Sequence, residues 1–174
     1  MEIISIVVVA LSLCFIVWAI KLFNRLIKLK TLNEEGWSGV LVVLKRRRAL
    51  IPNIIDIADL HLNHETGAFC RLTQAQELEQ AANSVAEMAR AEASMTAALA
   101  GFKAIVENYP YLQSDENMMH IQQELRELEE RIEKVRRYYN ATARDYNMEM
   151  AQFPANLVVG LMGFKSAEFF ETDE

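Results

Sequence analysis

Cysteine, proline and glycine are scarce in this chain, at two, three and six of 174 residues. Two cysteines without a Cys-x-x-Cys spacing exclude a disulfide framework and a zinc or redox motif of that kind. Cys14 stands inside an apolar run, so no pairing with Cys70 is expected. The few glycines form no phosphate-cradling loop, and neither a serine nucleophile elbow nor a zincin motif is present. Scarce glycine and proline, with abundant alanine, leucine and glutamate, favour helix over strand. Basic charge is short beyond the first 30 residues. Lys21, Arg25, Lys28 and Lys30 outweigh Glu2 there, a net +3, which leaves −9 for residues 31–174 of the total −6. An acidic main portion argues against nucleic acid, whose phosphates require a basic surface.

A long charge-free run is present. Ile3 to Ile20 reads IISIVVVALSLCFIVWAI, 18 residues without a charge. About 20 residues span the hydrocarbon of a bilayer. Leu22, Phe23, Leu26 and Ile27 extend the apolar character between snorkelling lysines, and Trp18 stands where an interfacial aromatic belongs. A cleaved signal peptide would need a basic leading region and small residues at a cleavage site. Met1-Glu2 supplies no basic residue, and no Ala-x-Ala follows. Leu11-Ser12-Leu13-Cys14 is a poor lipoprotein box, because Leu13 occupies the position of a small residue. The run is therefore expected to contact the lipid bilayer through residues 3–20. With basic residues only on its C-terminal flank, the positive-inside rule predicts the N-terminus outside and the remainder cytoplasmic. The domain expectation is a transmembrane anchor with its basic flank over 1–30 and a cytoplasmic helical bundle over 31–174. Lys21–Asn33 contains no glycine or proline, so the anchor should continue into the bundle without a flexible linker.

The clearest periodicity passes through Met118, Ile121, Leu125, Leu128, Ile132, Val135, Tyr139, Thr142, Tyr146, Glu149 and Phe153. Alternating steps of three and four make a heptad seam that is apolar except at Thr142 and Glu149. The charges between, from Glu124 to Arg137, read as a solvated face with i,i+4 pairs and not as a catalytic carboxylate cluster. Ser114-Asp115-Glu116 caps the start of this helix. Asn108-Tyr109-Pro110 ends the segment before it. That segment, about Gly67 to Asn108, carries a stripe from Leu78 to Val106, which Asn83-Ser84 could interrupt or kink. Upstream, Val40, Val43, Leu44, Ile51, Ile54, Ile55, Ala58 and Leu62 form another stripe, and Pro52 predicts a kink or a new helix start. Leu157–Phe170 is short and strongly apolar. Four segments with short connections predict an all-α fold, an antiparallel up-and-down bundle behind the transmembrane helix. Tracing the first helix away from the membrane, the second back and the third away again places the Tyr109-Pro110 turn near the membrane. It favours core or subunit contact over membrane binding for Phe164, Phe169 and Phe170.

Lys45-Arg46-Arg47-Arg48 is unusual. Successive helix residues point about 100° apart, so four basic side chains cannot all avoid the core. Ion pairs with bundle glutamates are the expected outcome; an acidic partner or neighbouring subunit is the functional alternative. His61 and His64 share a helix face beside Glu65, but no third ligand spacing accompanies them, so no metal is assigned. Asn140-Ala141-Thr142 matches a glycosylation sequon, without meaning in a cytoplasmic helix. No residue is assigned a catalytic or cofactor role.

Several short motifs occur together and in order: Trp37-Ser38, Leu44-Lys45-Arg46-Arg47, Leu50-Ile51-Pro52-Asn53, Glu107-Asn108-Tyr109-Pro110, Leu125 to Arg136, Tyr139-Asn140, Tyr146-Asn147, Phe153-Pro154, Gly163-Phe164 and Phe169-Phe170. In this the chain resembles the LemA family over nearly its whole length. The resemblance implies one N-terminal membrane helix, a cytoplasmic antiparallel helical bundle and no known enzymatic activity. Where the family usually carries Asp and Gln, this chain has Leu41 and Val43, a more apolar face. Leu62-Asn63-His64 is similar to a magnetosome-associated branch, whose members help form or organise an internal membrane. The expected function is a non-enzymatic, homo-oligomeric scaffold or assembly factor at a bacterial inner membrane, possessing no cofactor. The alternative is a monomeric or low-order adaptor that holds a soluble protein partner through residues 45–48.

Overall fold

The computed structural model describes residues 2–59 and 66–171. His61, Leu62, His64 and Glu65 lie outside the described residues. Among the described residues the fold is all-α, with five helices: α1 (Glu2–Asp59), α2 (Thr66–Ala81), α3 (Val85–Val106), the single turn α4 (Pro110–Gln113) and α5 (Glu116–Ala151). A short 3-10 turn follows at Ala155–Leu157. The chain divides into two compact units, one of residues 1–36 and 141–167, the other of 37–140 and 168–174.

α1 is uninterrupted through Pro52, where a kink or a new start was expected. The neighbours explain this. Ile51 and Ile54 are fully buried and hold the helix, while Pro52 itself faces solvent. The carbonyl left without an amide partner four residues earlier can then be satisfied by water. Arg47 is buried in the gap that the apolar stripe left between Leu44 and Ile51.

In the second unit, four helices pack antiparallel. At one end, Leu50–Ala58 of α1 share a core with Ala68–Ala75 of α2, Met95–Val106 of α3, Leu112, and Met118–Leu128 of α5. At the other, Val40 and Leu44 of α1 meet Met88 and Ala89 of α3 and Ile132 and Tyr139 of α5. Thus α1 and α3 run one way, α2 and α5 the other. The single segment expected over 67–108 is two helices, broken at Asn83-Ser84. The break is a capping box: Ser84 Oγ accepts from the Glu87 amide at 3.1 Å and Glu87 Oε2 accepts from the Asn83 amide at 2.7 Å. The extra reversal corrects the tracing. Leu112 and Met118 flank the Tyr109-Pro110 turn and share the core of Ile51–Ala58, so the turn sits at the C-terminal end of α1. Asp115 caps α5, its Oδ1 accepting from the Met118 amide at 2.9 Å.

In the first unit, residues 2–17 of α1 are exposed throughout. Further along, Leu22 and Leu26 pack on Tyr146 and Ala155, with Trp18, Val158 and Phe164 around them. The two polar seam positions of α5 have polar counterparts on α1. Asn33 Nδ2 donates to Thr142 Oγ1 at 3.2 Å, and Arg25 Nη2 lies 2.8 Å from Glu149 Oε2. Phe153, the last seam position, falls beyond α5 and is 79% exposed.

Leu157–Phe170 is not a helix. After the 3-10 turn the backbone folds through further turns to Gly163, whose φ of +77° favours glycine. It then continues without regular secondary structure to Glu171. Side-chain amides on α5 hold this ribbon by its backbone. In the first unit, Asn147 accepts from the Ala167 amide at 2.8 Å and donates to its carbonyl at 2.9 Å. In the second, Asn140 does the same for Phe170, at 2.8 and 3.0 Å, and the Tyr139 hydroxyl donates to the Glu168 carbonyl at 2.7 Å.

Candidate functional site

The basic run occupies consecutive positions of α1, so helical geometry turns its members in different directions. Lys45 is exposed. Arg46 reaches α5, with Nη2 2.7 Å and Nε 3.2 Å from Glu124 Oε1. Arg47 turns inward. Its Nη2 donates to Glu79 of α2 at 3.0 Å, and its Nη1 donates to Glu92 of α3 at 3.2 Å and to Thr96 at 3.1 Å. The Arg47 and Glu79 side chains are each only 1% exposed. Arg48 is half-buried on the side of Glu79.

The network is dense in charge and incompletely satisfied. Arg47 Nε and Glu79 Oε2 are buried without a hydrogen-bond partner. Burial pushes the Glu79 carboxyl above its ordinary value; the Arg47 guanidinium opposes this through charge and hydrogen bonding, Arg48 adds to that opposition, and Glu92 works against it. Beside Arg47 lies a cavity of about 250 Å³, whose lining includes Glu129, Ile132, Glu133 and Arg136. A second, more apolar cleft of about 290 Å³ lies over Ile54, Leu99, Phe102 and Met118. Thr96, Lys103, Gln122, Arg126 and Glu129 also line it.

The expected contact residues at the C-terminus separate. Phe170 is 1% exposed and stacks near Trp37, with ring centroids 6.0 Å apart. An outside partner reaches neither Phe170 nor Arg47. Phe164 packs on Phe23 at 5.6 Å in the first unit. Phe169 is 38% exposed. Among the described residues no group of three or more His, Cys, Asp or Glu side chains could hold a metal ion. Cys14 and Cys70 are both free and exposed.

Sequence reasoning did not single out one exposed apolar surface outside the initial run. Phe153, Leu157 and Leu161 are 79%, 65% and 90% exposed. Phe153, Pro154, Leu157 and Val158 line an apolar groove with Phe15 and Trp18 of α1. The signal was available: Met150–Phe164 contains no charged residue.

The fold and these surfaces define an all-helical protein with one helix apolar and long enough to cross a membrane, among the described residues. Residues 36–174 match the LemA family, and the chain belongs to that family. It is also similar to two magnetosome proteins of Paramagnetospirillum magneticum, MamQ 2 and MamQ 1. Each is 42% identical over 74 residues, which cover 42% of this chain and 27% of the relative. Magnetosome protein MamQ of Magnetospirillum gryphiswaldense is 37% identical over 73 residues, again 42% of this chain and 27% of the relative. The matched stretch thus spans about a quarter of these relatives' length. Together with the apolar helix, the comparisons make this a LemA-like, membrane-associated protein.

Proposed function

We propose that the chain is a non-enzymatic scaffold, anchored through residues 3–20 and assembled from copies of itself at a bacterial inner membrane, where it organises or remodels the bilayer. The N-terminus is outside and the helical bundle cytoplasmic, in keeping with the basic flank after Ile20. One observation carries the assembly reading: the outward face of α1 in the second unit exposes apolar side chains on either side of the exposed Lys45. Val42 is 65% and Leu41 36% exposed, and the neighbouring Ala49 and Pro52 are also exposed. Arg46, on the same face, is engaged with Glu124. Contiguous exposed apolar surface marks interaction sites. The names of the magnetosome relatives support a membrane setting.

The adaptor reading has less support, because Arg47 is interior and Arg46 is ion-paired. Light scattering of the full-length protein in a native-like membrane mimic tests the proposal. The expected result is an oligomer that Val42→Glu weakens. A strict monomer at micromolar concentration overturns it, and loss of a co-purified partner on charge reversal of Lys45 would favour the adaptor.

A further inference from the structure

The apolar elbow after α5 has a position that its composition alone does not reveal. It belongs to the first unit, which also contains the charge-free run of α1. The groove shared by Phe153, Pro154, Leu157 and Val158 with Phe15 and Trp18 fixes its height along that helix. Ile20 ends the charge-free run, so Phe15 and Trp18 lie about 7.5 and 3 Å inside that end at 1.5 Å per residue. Interfacial elements bury their apolar faces to about 5–10 Å, a depth that takes in Phe15, with Trp18 just shallower.

We propose that Phe153–Leu161 is a second membrane contact, a lip that inserts into the lipid interface beside the α1 span through Phe153, Leu157 and Leu161. This rests on the reading of α1 as a membrane anchor. The elbow has two apolar sides. Ala155 is buried on Leu22, Leu26 and Tyr146, with Val158 and Val159 packed beside it, which fixes the elbow to the helix. Phe153, Leu157 and Leu161 stay largely exposed, the first two along the groove with Phe15 and Trp18. The flanking charge suits a headgroup layer. Lys21 follows the apolar run on α1, Arg25 is paired with Glu149 just before the elbow, and Lys165 is the first charged residue after it. Cations at the boundary of an apolar surface are placed to meet lipid phosphates. The occupant is lipid because a soluble partner would have to reach the depth of Phe15, inside the run that spans the bilayer.

Site-directed fluorescence on the full-length chain tests this. Cys14 and Cys70 are replaced by serine, and single cysteines are introduced as Leu157→Cys and Leu161→Cys. Val9→Cys serves as a span control and Tyr111→Cys as a control at the exposed α4 turn. An environment-sensitive dye is attached and the protein is reconstituted in phosphatidylcholine–phosphatidylglycerol vesicles that carry spin-labelled lipid. The expected result is blue-shifted emission at 157 and 161, with lipid quenching several-fold stronger than at 111. Aqueous emission at 157 and 161 with lipid quenching at 9 overturns the lip and leaves the anchor intact. Aqueous emission at 9 as well overturns both. A blue shift at 157 that lipid does not quench, and that vanishes at one copy per nanodisc, overturns the lip in favour of a second copy of the chain.

Discussion

Replacing Arg47 by methionine removes the cation from a site where two carboxylates converge. Glu79 and Glu92 retain side-chain exposures of 1% and 8% and lose the guanidinium that binds both. Each then remains charged without its counterion or takes up a proton. At pH 7, protonating a carboxyl whose ordinary value is 4.5 costs about 3.4 kcal/mol, at 1.36 kcal/mol per unit. Protonation therefore caps the penalty for either group, and the expected loss is about 3–5 kcal/mol, the range found when one partner of a buried pair is removed. For a chain of this size that lowers the melting temperature by roughly 6–20 °C. The measurement is thermal unfolding of the full-length protein in mild detergent, followed by far-ultraviolet circular dichroism. Two signatures separate lost charge from lost packing. The penalty should shrink as pH falls toward 5, because protonation becomes cheaper. It should also vanish in the triple variant Arg47→Met, Glu79→Leu, Glu92→Leu, since replacing a whole buried ion cluster by apolar side chains is often neutral or stabilising. A loss under about 1 kcal/mol, the level of an exposed pair, or one indifferent to pH, would refute this account.

Glu79→Gln should alter the pH dependence of the wild-type protein. Burial raises the folded-state pKa of Glu79 above 4.5, so its stabilising contribution is complete below 4.5 and is lost as pH rises through the raised value; in the variant, that fall in denaturation midpoint is absent. Asn147→Ala leaves the amide and carbonyl of Ala167 without their partner and should cost about 1–3 kcal/mol, with faster hydrogen exchange confined to the ribbon around 165–169. Ser84→Ala removes the cap of α3 and should cost about 1 kcal/mol by chemical denaturation, whereas Ser84→Gly should cost only a fraction of that.

The parts of the fold visible in the sequence are those set by local periodicity. Every seam position of α5 from Met118 to Glu149 is buried or half-buried, the polar Thr142 and Glu149 included, since a repeat of three and four is a property of one helix. The polar exceptions within that seam had no visible meaning. Thr142 and Glu149 are explained by Asn33 and Arg25, which are more than a hundred residues away in sequence. The basic run showed that a charge must turn inward, but four adjacent cations look alike, and only the gap between Leu44 and Ile51 picks out Arg47. The interruption expected at Asn83-Ser84 is a full break, and its capping box is readable as Ser84-x-x-Glu87. The C-terminal segment was misread because its apolar content resembles a buried helix. Gly160, Gly163 and the repeated Tyr-Asn pairs at 139–140 and 146–147 were the contrary signals.

Those two asparagines have an evolutionary consequence. Each recognises one residue through its amide and carbonyl, so the docking instruction is written on α5 in peptide groups and not in ribbon side chains. Glu168 and Phe169 lie between the two recognised residues with their side chains exposed, and the Glu168 carbonyl is the part that Tyr139 reads. Mutation can therefore rewrite the outer lettering of the ribbon while its address on the helix stays fixed.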